Sequence, residues 1–170
     1  MLYIKFKIEN HKNFMDFRAL YMHMFAVRTD SYSETEINDF TNQDRGKIQV
    51  FKTLIPKYAS EVLENYFSFD NAKSILINED KVSHLNYLEY GFEVNLNLLE
   101  RCKTGGGIVK ISTGNYPFGG LERFMITLKA FKLEPFECFD GFNVCALHWV
   151  SEVEYEANIL SEKTKRYLIR

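Results

Sequence analysis

The chain lacks a basic surplus, a long apolar run and a paired cysteine framework, and each absence closes off a class of function. Lys and Arg number 21 against 23 Asp and Glu, for a net charge of −2. Nucleic-acid binders carry a clear cationic excess, so direct nucleic-acid binding is not expected. No apolar stretch approaches the roughly 18 residues that a membrane span needs, so no membrane association is expected. The first residues, Met1-Leu2-Tyr3-Ile4-Lys5-Phe6-Lys7, lack the basic-then-apolar order of a secretory signal. Three cysteines without framework spacing suit a reducing compartment. Together these features predict a soluble, cytoplasmic protein. Read as a two-residue turn, Asp140-Gly141 sets Cys138 opposite Asn143. That register leaves Cys145 a diagonal neighbour at about 7 Å, too far for an unstrained disulfide.

The catalytic signatures are missing too. No Gly-Lys-Ser/Thr phosphate loop and no G-x-G-x-x-G is present. No Cys-x-x-Cys or His-Glu-x-x-His supplies zinc ligands, and no serine sits in a nucleophile elbow. Cys145 and His148, three apart on a strand, point to opposite faces and cannot grip one metal. The expectation is therefore no metal, no cofactor and no nominated catalytic residue, and the balance leans away from an enzyme.

What is present is a well-patterned globular composition: 170 residues, 46% hydrophobic and 26% charged. One domain spanning residues 1–170 is the natural reading. Leu2, Ile4, Phe6 and Ile8 alternate with polar residues as in a half-buried strand. Phe14, Phe17, Leu20, Tyr21, Met24 and Phe25 step at helical spacing, although Met22-His23-Met24 also alternates as a strand would. Ser33-Glu34-Thr35-Glu36 has the form of a capping box opening a short helix to about Phe40, and Asn42 to Arg45 reads as a turn. Pro56 suits the first turn of a helix through Phe67. Ser74 to Ile77 reads as a short strand. Val82, Leu85, Leu88, Phe92, Leu96 and Leu99 keep intervals of three and four and predict a helix ending before Thr104.

The stretch from Thr104 to Trp149 organises the rest. Gly105, Gly106 and Gly107 break the preceding helix, Ile108 to Ile111 form a strand, and Leu121 to Phe131 form a helix. Phe136 to Phe139 and Phe142 to Trp149 flank a hairpin turn. Val150 to Tyr155 carries a helix-start signature, with Ser151 as N-cap and Glu154 as its reciprocal partner. The same residues also alternate as a strand would, but the caps and charge polarity favour helix. The predicted fold is α+β: a single domain, a mixed β-sheet with helices packed on it, and a C-terminal β-α-β-hairpin-α unit.

Residues Leu98-Leu99-Glu100-Arg101-Cys102-Lys103-Thr104-Gly105-Gly106-Gly107-Ile108-Val109, with the helix and hairpin through Trp149, resemble the C-terminal half of S-adenosylmethionine-dependent methyltransferases. The resemblance implies a helix, turn and strand over 98–109. That family's glycine-rich cofactor loop has no counterpart here, since Glu9-Asn10-His11-Lys12-Asn13 follows the first strand.

Two functional readings emerge. The first is a non-enzymatic protein-binding module, an inhibitor or immunity-type partner of a basic toxin or nuclease. It would use Glu152, Glu154, Glu156 and Tyr155, because complementary charge steers docking, and surplus tyrosine and phenylalanine suit a recognition surface. The second is a small-molecule or anion-binding enzyme with partial methyltransferase-like architecture. Its site would be the strand-to-helix loop 112–120, where Ser112, Thr113, Asn115, Gly119, Gly120 and Arg123 could hold an anion at a helix start.

Overall fold

A computed structural model describes residues 1–30, 49–70, 84, 85, 88, 94–103, 105–113 and 120–169. The predictions for Ser33 to Phe40, Asn42 to Arg45 and Ser74 to Ile77 lie outside those residues. So does most of the loop before Leu121. Within them the order is β1 (Leu2–Lys7), α1 (His11–Asp30), α2 (Lys57–Asp70), β2 (Val94–Arg101) and β3 (Gly106–Thr113), then α3 (Leu121–Ala130), β4 (Pro135–Phe139), β5 (Val144–Trp149), β6 (Tyr155–Ile159) and α4 (Ser161–Leu168). Residues 49–54 are also helical.

The six strands form one sheet in the order β2-β3-β1-β4-β5-β6, and every pairing is antiparallel. The α+β class with helices packed on a sheet is the architecture found. Strand β1 lies at the centre because its alternation supplies apolar residues to the helix-covered face. Ile4 and Phe6 are fully buried there, beside Val109 of β3 and Cys138 of β4. Helix α1 lays Phe14, Phe17 and Leu20 on this face. The Phe14 ring stacks 6.4 Å from Phe6, and Phe17 meets Phe124 of α3 and Phe131 edge-on at 6.2 and 5.5 Å. Such edge-to-face pairs add about 0.5–1.5 kcal/mol beyond the area they bury.

Pro56 starts α2 as its position predicts, its carbonyl accepting from the Ala59 and Ser60 amides at 2.9 Å. The opposite face of the sheet is covered at one corner by α4. Tyr167 packs on Phe139 and Tyr3 with ring centroids 4.5 and 5.3 Å away, and Thr164 Oγ1 accepts from the Val144 amide at 2.9 Å.

Three expectations are corrected. Residues 94–101 are a strand, so the helix predicted from Val82 to Leu99 is helical at residues 84, 85 and 88 but not from Val94 on. A strand also stands where the resemblance implied a helix before the turn and strand of 98–109. The cause is a β-bulge between Leu96 and Leu98. The extra residue lets Leu96 and Leu99 oppose Ile111 and Val109 on the same face, so a strand acquires the three-residue spacing of a helix. Gly105 to Gly107 accordingly close a hairpin. The Gly105 amide donates to the Cys102 carbonyl at 3.2 Å, and Gly105 is left-handed at φ 88°, as a three-residue hairpin loop requires.

The β4–β5 loop is the second correction. It has four residues, because Asp140 Oδ1 accepts from the Phe142 and Asn143 amides at 2.8 and 2.7 Å. Cys138 therefore faces Cys145 directly, and not Asn143. Both thiols are free, and burial first of all pushes them up, Cys138 to about 12.

The third correction concerns Ser151. Its hydroxyl does accept from the Glu154 amide at 3.1 Å and donates to Glu154 Oε2 at 3.3 Å. These are the contacts of a capping box, yet they close the β5–β6 turn, with the Val150 amide donating to the Glu154 carbonyl at 2.9 Å. The contacts are local and a turn satisfies them as well as a helix. The alternation from Tyr155 to Ile159 then pairs with β5, and the helix starts only at Ser161.

Candidate functional site

The four residues read as a partner surface are brought together by the β5–β6 turn and by β6, the last strand of the sheet. Glu152 and Glu154 are exposed in the turn, and Glu156 is exposed on β6 opposite His148. Among the described residues no ion pair engages any of these three carboxylates. Tyr155 stands apart from them in character. It is half-buried, faces Trp149 across the strand pair, and its ring lies 5.2 Å from the indole. Burial, then the nearby Glu122 carboxylate, pushes its hydroxyl far above the ordinary tyrosine value, so it stays protonated and acts as a fixed aromatic support.

Trp149 is itself held in place. Its indole N–H donates to the Pro135 carbonyl at 2.6 Å, and the Lys129 ammonium lies 5.0 Å over the ring, a cation–π contact. Lys129 is in turn paired with Glu134 at 2.9 Å, and Glu134 with Lys7 at 2.7 Å. Hydrogen bonds from Lys7 and Lys129 hold the Glu134 carboxyl below its usual range. The aromatic pair thus ties β5 and β6 to α3, β4 and β1. Sequence reasoning passed over this support and over Ala157, Asn158 and Ile159; the signal that locates them is the same alternation that β6 shares with any strand.

The loop read as an anion site is only framed. Ser112 is half-buried on β3 and pairs with Asn95, and Thr113 ends the strand opposite Val94. Asn115 and Gly119 lie outside the described residues. Gly120 is left-handed at φ 66° at the head of α3, its carbonyl accepting from the Phe124 amide at 3.1 Å. Arg123 is half-buried one turn on. Below it Thr127 Oγ1 donates to the Arg123 carbonyl at 2.7 Å and accepts from His84 Nε2 at 3.0 Å, which places the ring proton on Nε2. Burial, then the Arg123 charge, lowers His84 to about 3, so this histidine is neutral at physiological pH.

No protein-family model, curated protein or solved structure matches this chain. Its own geometry therefore carries the functional argument. Among the described residues no group of three His, Cys, Asp or Glu could hold a metal ion, and no helix is long and apolar enough to cross a membrane.

Proposed function

We propose that this chain is a non-enzymatic protein-binding module that docks a basic partner on the turn and strand from Glu152 to Glu156. In this reading it belongs to the inhibitor or immunity type, covering the cationic surface of a toxin or nuclease. The observation that carries the proposal is the exposure of three carboxylates, none in an ion pair among the described residues, on the β5–β6 turn and the last strand of the sheet. Carboxylates in that position attract cationic surfaces at long range and accelerate encounter. Tyr155, tilted against Trp149 on the other face of β6, braces the strand that carries Glu156. A nuclease must expose cations to hold its substrate, so an acidic strand laid across them would block it.

The test is affinity capture from the native cell extract, followed by calorimetric titration with the purified captured protein. The expected partner is basic and binds at micromolar concentration or tighter. Glu152→Gln/Glu154→Gln/Glu156→Gln is expected to weaken it at least ten-fold and to flatten its salt dependence. A triple variant with full affinity and an unchanged salt slope would contradict the proposal.

A further inference from the structure

The acidic strand is also a sheet edge, paired on one side only among the described residues. At the two ends of the β5–β6 pair, the Leu160 amide donates to the Val144 carbonyl at 2.7 Å and the Val150 amide to the Glu154 carbonyl at 2.9 Å. In between, the hydrogen-bonded partners are Ala146 with Asn158 and His148 with Glu156. The N–H and C=O groups of Tyr155, Ala157 and Ile159 therefore point away from β5, to the side where no described strand lies. Glu156 through Ile159 are all exposed, Ile159 by 59%.

The opposite edge is built differently. Strand β2 carries the bulge between Leu96 and Leu98, a device that twists an edge away from further pairing. Strand β6 runs in unbroken register from Tyr155 to Ile159, and contains no proline and no lysine, the other common guards.

We infer that β6 is a strand-addition site that accepts an extended basic segment of the protein partner. The inference rests on the proposed protein-binding function and adds its mode. Main-chain groups of the incoming strand pair with those of Tyr155, Ala157 and Ile159, and its side chains fall beside two existing rows. One row holds Glu154, Glu156 and Asn158; the other holds Tyr155, Ala157 and Ile159. Cations fit the first row and apolar residues the second, so the segment alternates Lys or Arg with apolar residues over about five positions. A second copy of β6 would bring more glutamates into a row that is already acidic, and charge disfavours it against a cationic strand.

The probe is the peptide acetyl-Lys-Val-Lys-Val-Lys-Val-Lys-amide, titrated against the full chain. Trp149, the one tryptophan, reports by fluorescence from beside Tyr155, 5.2 Å away across the strand pair, and amide resonances report pairing residue by residue. Saturable binding with shifts at Tyr155, Ala157 and Ile159 is expected. Ala157→Pro is expected to weaken it at least ten-fold, because it removes an outward N–H and leaves the β5–β6 ladder whole. The same peptide N-methylated at alternate amides is expected to lose binding without any change to the protein. Glu154→Gln/Glu156→Gln is expected to weaken binding three- to ten-fold.

Undiminished binding of both the N-methylated peptide and Ala157→Pro, with loss in the glutamine variant, overturns strand addition and leaves the acidic-surface function standing. Full binding to the glutamine variant, with loss in Ala157→Pro, overturns the basic segment and the acidic-surface function with it. A peptide-free dimer in sedimentation that Ala157→Pro abolishes makes a second copy the occupant and overturns the basic segment. Absence of binding by the unmodified peptide overturns the inference outright.

Discussion

Glu137 shows how much one side chain holds here. It is 5% exposed and accepts hydrogen bonds from Tyr3 at 3.0 Å, Lys5 at 2.8 Å and Lys163 at 2.7 Å, tying β4 to β1 and α4. Burial works to raise its carboxyl, but the bonds from Lys163, Lys5 and Tyr3 outweigh it and hold the group below its usual range. A carboxyl lowered in the fold contributes stability that is complete above its unfolded value, and that is lost as pH falls through the folded one. Glu137→Gln keeps the shape and removes the charge. Both lysines reach water, their side chains 39% and 60% exposed, so the expected cost is toward the low end of about 1–3 kcal/mol at pH 7. Urea denaturation should show it, with the difference from wild type shrinking below about pH 4; an unchanged midpoint at pH 7 would contradict the role. His84 obeys the same rule from the other side. It is neutral in the fold down to about 3, while the unfolded chain takes up the proton near 6.5. Stability from this group is therefore full above about 6.5 and falls by about 1.4 kcal/mol per pH unit below it. Comparing urea midpoints at pH 7 and pH 5, His84→Gln should lose less stability than wild type. Equal losses would contradict the assignment.

At the scale of elements, the β2–β3 hairpin explains both what the sequence reveals and what it conceals. Strand β1 and helix α3 are legible because each keeps one apolar period throughout, and α1 through the spacing of Phe14, Phe17, Leu20 and Met24, although Met15, Met22 and Phe25 are exposed. Strand β2 is not, because its bulge sets Leu96 and Leu99 three apart on one face. Nothing local separates that spacing from a helix; the pairing with β3 decides it. The turn at Ser151 is ambiguous for a related reason, since its hydrogen bonds fit a helix start and a hairpin equally. The proposed partner residues Glu152 to Glu156 are therefore legible as a cluster, while their place beside a sheet edge that no described strand covers is not. The glycines of the hairpin divide the work: Gly105 supplies the left-handed turn, and Gly107 makes room. A Cβ at Gly107 would collide with the ring of Phe6 directly across the strand pair, and Phe6 is fully buried. Gly107→Ala should destabilise by about 1–3 kcal/mol through that overpacking. Gly105→Asn, with open space around it, should cost less than about 1 kcal/mol. Equal thermal midpoints for the two variants would contradict this division.

For the whole molecule, the governing asymmetry is a sheet with one face under α1 and α3, and with two edges built differently. The face packed by Phe6, Phe14, Phe17 and Phe131 supplies the stability. The β6 edge, beside Glu154 and carrying Glu156, with Tyr155 against Trp149, is the surface proposed for recognition. The most direct measurement of that claim is amide hydrogen exchange along β6, resolved residue by residue in the free protein. The amides of Glu156, Asn158 and Leu160 should be protected by β5, and those of Tyr155, Ala157 and Ile159 should exchange quickly. Uniform protection from Tyr155 to Leu160 would mean that the edge is already covered, and would contradict the account.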